Sequence, residues 1–322
     1  MNTLRGRILI AFAIIYIVWG STYLGIRVAV ETIPPLMLSA TRSLVAGVVL
    51  LAFARWRGRT ERRPLPSWAE WKGAIIMGFL MFVMGNAILS WAETRIDSGL
   101  AALVVGAIPL WVVMLERFKP KESRREVTLQ KGLGVAVGLA GLGLLVWPSG
   151  SGGGGVRMDP LAVGLLMLGS MGWAVGTVIS PSLAQAKDKV ENAAMSMLTG
   201  GVMVLAIALL RSERLVLSAV TARSFGAWVY LVTFGSMLAY SAYVWLVAHV
   251  EAGKIATYAL VNPIVAVFLG WLLVGEQVTG RMLVATLIII AGLTLTLFGG
   301  EMAAWAGRQV GKTARRQVRE AA

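Results

Sequence analysis

Apolar stretches of about 20 residues, separated by short polar runs, recur along the whole chain. They predict helices at 8–28, 36–54, 73–92, 98–116, 130–147, 160–181, 192–210, 225–248, 255–274 and 281–299. At about 1.5 Å per residue, stretches of this length span a hydrocarbon core about 30 Å thick. Pro34-Pro35 and Pro160 stand where the second and sixth helices open, since a helix's first turn needs no N–H from proline. The first run, with Arg5 and Arg7 before it, lacks a small-residue cleavage site and reads as a span rather than a leader.

The pattern also repeats. GKIATYALVNPIVAVFLGWLLVGE, from Gly253 to Glu276, has a near-copy 154 residues earlier in GLAALVVGAIPLWVVMLERFKPKE, from Gly99 to Glu122. The offset pairs Gly99 with Gly253, Ala102 with Ala256, Pro109 with Pro263 and Glu122 with Glu276. It also pairs Trp19 with Trp173, Gly47 with Gly201 and Trp91 with Trp245. Such register marks a duplication. The predicted organisation is a first repeat over 1–148, a Gly-rich linker over 149–159, a second repeat over 160–300 and a basic tail over 301–322. The linker run SerGlySerGlyGlyGlyGly is followed by no GK[ST], so it reads as flexible chain rather than a phosphate cradle. A five-helix repeat has an odd number of crossings, so the second copy must enter from the opposite side. The predicted fold is an all-α integral membrane protein, with ten transmembrane helices as two inverted five-helix repeats. Such repeats place a solute site near mid-depth, where the halves meet.

Composition agrees with a lipid solvent. Hydrophobic residues make up 57% of the chain, charged residues 14%, and the mean hydropathy is +0.75. A soluble domain carries about 25% charged residues. With no cysteine and one histidine, disulfides, thiolate metal ligands and thiol nucleophiles are excluded, and no cofactor or metal is expected. The net charge of +14 sits in alternate loops rather than on one face, which argues for a lipid bilayer as partner and against nucleic acid. With the N-terminus inside, inner segments carry 22 Lys and Arg against 7 outside, which predicts that both termini are cytoplasmic. Arg211, Arg214 and Arg223 on the outer side run against that bias.

Polar residues at helical spacing mark candidate chemistry. Trp19, Thr22 and Tyr23 share the first span. Asn86, Ser90 and Glu93 share the third, and Trp173, Thr177 and Ser180 the sixth. Thr233, Ser236, Tyr240 and Tyr243 follow in the eighth, and Tyr258 and Asn262 in the ninth. Asn86 and Tyr240 are repeat equivalents. These faces would line a cavity of aromatic walls with a few amides and hydroxyls, suited to a small, partly apolar, neutral or zwitterionic molecule. Interhelical hydrogen bonding, at about 0.6 kcal/mol each, is the plainer reading of any single Ser or Thr. Pro109 and Pro263 free the carbonyls of Val105 and Ala259 and predict paired hinges. Arg42 and Glu93 are the intramembrane charges; Arg42 needs a partner, either Glu93 or helix-end carbonyls. The spacings Gly134/Gly138 and Gly172/Gly176 permit close packing within a subunit or across a homodimer.

WGSTYLGIRVAV at 19–30 and IPPLMLSATRSLVAG at 33–47 resemble the opening of bacterial EamA-family transporters of the drug/metabolite transporter superfamily. GNAILSWAE at 85–93, SGLAALVVGAIPL at 98–110 and ATYALVNPIVAVFLGWLLVGE at 256–276 resemble that family's repeat motifs. The resemblance implies an inner-membrane exporter of amino acids or amphipathic compounds, working by alternating access and not as an enzyme. It implies cavity or gate roles for Trp19, Asn86, Pro109, Trp173, Tyr240 and Asn262. A carrier of phosphorylated or nucleotide-linked solutes would want several cavity cations, and only Arg42 is available. A membrane-embedded enzyme would want DxxxD or HExxH, and neither occurs. A channel would want a ring of charge or a filter-like repeat.

Overall fold

Ser67 and Glu70 show how local chemistry sets a helix start. In the computed structural model the Ser67 hydroxyl accepts from Glu70 N, and the Glu70 carboxylate accepts from Ser67 N. This reciprocal cap opens the third helix at Trp68, five residues ahead of the position that hydropathy predicts, because polar and aromatic residues hide the first turn. The structure describes residues 3–58, 64–118, 129–146, 158–250, 255 and 257–299. The Gly-rich linker run, the basic tail, and Glu122, Gly253 and Ala256 of the repeat register lie outside the described residues.

Among the described residues the chain is helical, with no strand. We label α1 Thr3–Ala29, α2 Pro35–Gly58, α3 Trp68–Ala92, α4 Ser98–Glu116 and α5 Leu129–Val146. These are followed by α6 Pro160–Ile179, α7 Lys189–Leu210, α8 over 222–249, α9 Tyr258–Val274 and α10 Gly280–Gly299. Eight helices among the described residues are long and apolar enough to cross a membrane; α5 and α9 are shorter apolar helices.

Caps define the remaining ends. Asp159 accepts from Leu161 N and Ala162 N ahead of Pro160, and Asp188 and Thr221 cap α7 and α8 in the same way. Two helices borrow a cap from distant sequence. The Glu213 carboxylate accepts from Leu36 N and Met37 N at the start of α2, and Glu276 accepts from Ser98 N and Gly99 N at the start of α4. Each places negative charge where a helix dipole is positive. Gly275, at φ 69°, ends α9 in the left-handed region and turns Glu276 back toward α4.

Cross-links sort the connections into two ends. At one, the Arg223 guanidinium faces Glu31 at 3.9 Å, Thr221 N donates to Thr32 Oγ1, and Arg95 pairs with Asp159 at 3.0 Å. The hydrogen bond from Arg95 holds the exposed Asp159 carboxyl below the usual carboxylate range. Arg281 also donates to Leu145 O. These contacts join the α1–α2, α7–α8, α3–α4, α5–α6 and α9–α10 connections. At the other end Arg55 pairs with Glu191 at 3.1 Å and Arg57 with Asp188 at 2.6 Å, joining α2 to the start of α7.

Helices α2 and α7 make the most extensive pairing. A Cβ added to Gly47 would lie 2.9 Å from Leu198 Cγ, and one added to Gly201 would lie 2.9 Å from Leu44 Cγ. Both pairs are related by the 154-residue offset. Helices α5 and α10 cross where an added Cβ on Gly292 would run into the Gly138 backbone. Gly134 faces Thr296 and Gly172 faces Met84, so these spacings are used within the chain.

The core is not uniform along the bundle. The largest cluster joins Tyr23, Ile26, Ala29, Leu38, Ala92 and Ile96 near Glu93 and continues along α4, α5, α6 and α10 through Leu110, Trp111, Val135 and Leu293. Toward His249, α1 with α8 and α2 with α3 and α7 form clusters of their own.

Candidate functional site

Where these smaller clusters form, aromatic rings take over. The Trp19 indole lies 5.3 Å from the Tyr243 ring and 5.2 Å, edge-on, from Tyr258, while its N–H donates to Gly235 O at 3.2 Å. Tyr240 and Tyr258 flank Tyr243 at 6.1 and 6.5 Å. Thus α1, α8 and α9 hold four half-buried rings in mutual contact, at separations typical of favourable aromatic pairs. The hydroxyls of Tyr240, Tyr243 and Tyr258 make no hydrogen bond among the described residues, so the wall keeps polar tips in reserve. Asn86 on α3 is half-buried, and its amide is likewise uncommitted. Trp173 on α6 packs over the neighbouring glycine, since a Cβ on Gly85 would lie 2.7 Å from its ring.

Other sequence-predicted site residues are spent on the helices themselves. Thr22 Oγ1 donates to Trp19 O, Ser90 Oγ to Asn86 O, Thr177 Oγ1 to Trp173 O and Thr233 Oγ1 to Val229 O. Ser180 accepts through its hydroxyl from the Gln185 amide. Asn262 is buried, and with its amide oriented to donate it reaches the carbonyls of Tyr16 and Tyr258, both at 3.2 Å. It therefore ties α1 to α9 one residue before Pro263, while Tyr16 and Thr257 join hydroxyls in the same seam.

The two prolines behave differently. Near Pro109, α4 is parted into Ser98–Val105 and Ile108–Glu116, with Gly106 and Ala107 in a turn. Pro263 sits inside an uninterrupted helix. The parted turn rests against the other proline, because a Cβ on Gly106 would lie 2.9 Å from Pro263 Cγ.

Arg42 and Glu93 are the two charges that the sequence reading places within the membrane. Arg42 Nε donates to Ser236 Oγ at 2.8 Å, and its Nη2 would lie 3.4 Å from a Cβ on Gly235. Its hydrogen-bond partner is thus a hydroxyl on α8 rather than Glu93 or a helix-end carbonyl, a contact made possible by the small residues at 235 and 236. Glu93, which closes α3, is 0% exposed, and neither carboxylate oxygen makes a hydrogen bond of good geometry among the described residues. Tyr23, 8% exposed on α1, is within electrostatic reach of both Glu93 and Tyr258. Among the described residues no three His, Asp or Glu side chains gather to hold a metal ion.

Three features escaped sequence reasoning. Helix α3 is π-helical over Gly78–Ala87 and α8 over Leu231–Leu238, so wide turns end beside Asn86 and lead into Tyr240. Such turns concentrate at functional sites and carry little hydropathy signal. The third is Trp111, whose indole donates to Ser170 Oγ at 3.0 Å and ties α4 to α6.

Comparison with known proteins gives this architecture a family. The model of the EamA-like transporter family matches residues 6–147 and 160–298. The uncharacterized inner membrane transporter YedA of Escherichia coli is 34% identical over 88% of this chain and 89% of its own. A Salmonella typhimurium protein named "Probable amino-acid metabolite efflux pump" is 23% identical, over 89% of this chain and 93% of its own. One solved crystal structure superposes with a TM-score of 0.59 over 90% of this chain and 96% of that one, at 20% identity, a likeness of fold. With two matched stretches covering most of its length and a relative above 30% identity, the chain belongs to the EamA-like transporter family and is a membrane transporter.

Proposed function

We propose that the protein is a secondary transporter exporting small metabolites, amino acids or amphipathic compounds, across the inner membrane by alternating access. Ten spans form two inverted five-helix repeats, with both termini cytoplasmic. The sorting of connections supports the inversion. The first connection of the first repeat, α1–α2, shares an end with α7–α8, whereas the second repeat's first connection, α6–α7, lies at the end of α2–α3. The mirrored Gly47–Leu198 and Gly201–Leu44 contacts support it too.

The observation that carries the functional reading is the face of rings and uncommitted polar tips formed by Trp19, Tyr240, Tyr243, Tyr258 and Asn86. Rings hold aliphatic or cationic parts of a solute, and free hydroxyls and an amide orient it. The efflux-pump name of the Salmonella relative supports amino-acid-like cargo. Phosphorylated cargo is disfavoured because it would want several cations, and the sequence places only Arg42 deep within a span.

The test is efflux of a radiolabelled amino-acid mixture from preloaded cells expressing the protein. Asn86→Ala and Tyr240→Ala are expected to lower the rate about tenfold, equivalent to about 1.4 kcal/mol of lost binding, at unchanged membrane abundance. Rates equal to the unmutated protein in both variants would remove the site, and no efflux above empty cells would remove the function for this cargo.

A further inference from the structure

Resting on that transporter reading, we propose that Glu93 is a proton-binding site, and that loading it seals the Glu93 end of the pathway. Glu93 is 0% exposed beside Ala92 and Ile96 of the core, and neither of its oxygens makes a hydrogen bond of good geometry among the described residues, the Arg27 backbone being the polar group nearest to doing so. An ionised carboxylate sealed without good hydrogen bonds is far costlier than the neutral acid, so the sealed conformation holds the proton. When that end parts, water solvates the anion and the proton leaves.

The groups around Glu93 suit this exchange. The titratable groups within electrostatic reach of it are Tyr23 and Arg27 on α1, Arg42 on α2 and Glu276 beyond α9. Glu276 already accepts from Ser98 N and Gly99 N. Arg27 and Arg42 supply two cations near Glu93, and Tyr230 on α8 is within electrostatic reach of Arg42. The same two cations favour the anion once water enters, so the site alternates between two stable forms. Tyr23 is within electrostatic reach of both Glu93 and Tyr258, which links the proton site to the proposed cargo wall. The sign follows from linkage: the sealed form binds one more proton than the open form, so raising the pH favours opening.

The chain contains no cysteine, so a single introduced thiol reports without background. Ala29, 0% exposed in the core cluster that holds Ala92 and Ile96, is the reporter as Ala29→Cys. Maleimide labelling of the purified protein in lipid vesicles is followed from about pH 5 to about pH 9, around the range where carboxylates in unusual surroundings titrate. Rates are divided by those of Leu65→Cys, an exposed site, to remove the thiol's own titration. The expected result is a rise of up to about tenfold per pH unit, the limit for one linked proton. With Glu93→Gln added, labelling should stay slow at every pH; with Glu213→Gln added, which removes a carboxylate cap away from Glu93, the rise should persist. A flat profile with Glu93 intact, or a rise that survives Glu93→Gln in protein of unchanged elution and melting, overturns the proposal. The assay uses no cargo. Intact labelling behaviour without efflux would sink the exporter reading alone, whereas efflux with a flat profile would sink only the proton site.

Discussion

Ser236 is a small residue with a large duty. Its hydroxyl accepts from Arg42, a cation that would otherwise face α8 without this bond. Ser236→Ala should lower the thermal midpoint in detergent by an amount matching about 1.5–3 kcal/mol, the worth of a hydrogen bond to a charged group. Ser236→Thr, which keeps the hydroxyl, should restore most of it. No change in Ser236→Ala would mean that water or another group already serves Arg42. The chain advertises Arg42 as a lone charge in an apolar run, so the need for a partner is legible. The partner's identity is not, because residues 42 and 236 meet only through the packing of α2 against α8. Asn262 teaches the same lesson: its spacing to Tyr258 marks a polar face, yet its amide is turned onto backbone carbonyls of α1 and α9.

At the scale of elements, hydropathy locates the helices well because lipid-length apolar runs leave few other readings. Pro35 and Pro160 open α2 and α6 where the sequence expects. Caps supplied from afar, by Glu213 and Glu276, and the π-helical stretches of α3 and α8 depend on tertiary contacts and leave no periodic trace. The α5–α10 crossing tests how tightly two elements are held. Gly292→Ala would drive a methyl into Gly138, forcing the helices apart at a cost of about 1–3 kcal/mol, read as a lower melting temperature. Gly143→Ala on the same α5 has open space around it and should be neutral, which separates crowding from a general effect on the helix.

For the whole molecule, the repeat register predicts halves of opposite sense, and that prediction has a direct check. Leu65 and Leu217, both 78% exposed, lie in connections assigned to opposite ends of the bundle. Leu65→Cys and Leu217→Cys, each the sole cysteine of the protein, should react with a membrane-impermeant maleimide from opposite faces of the membrane. Reaction from one face would refute the inverted arrangement. The parting of α4 beside an unbroken α9 then acquires a meaning. Under the inverted-repeat reading proposed above, each half displays a posture available to the other. Trading postures would run α4 straight through Gly106 and divide α9 near Val261, turning the present form into its opposite number without any new fold.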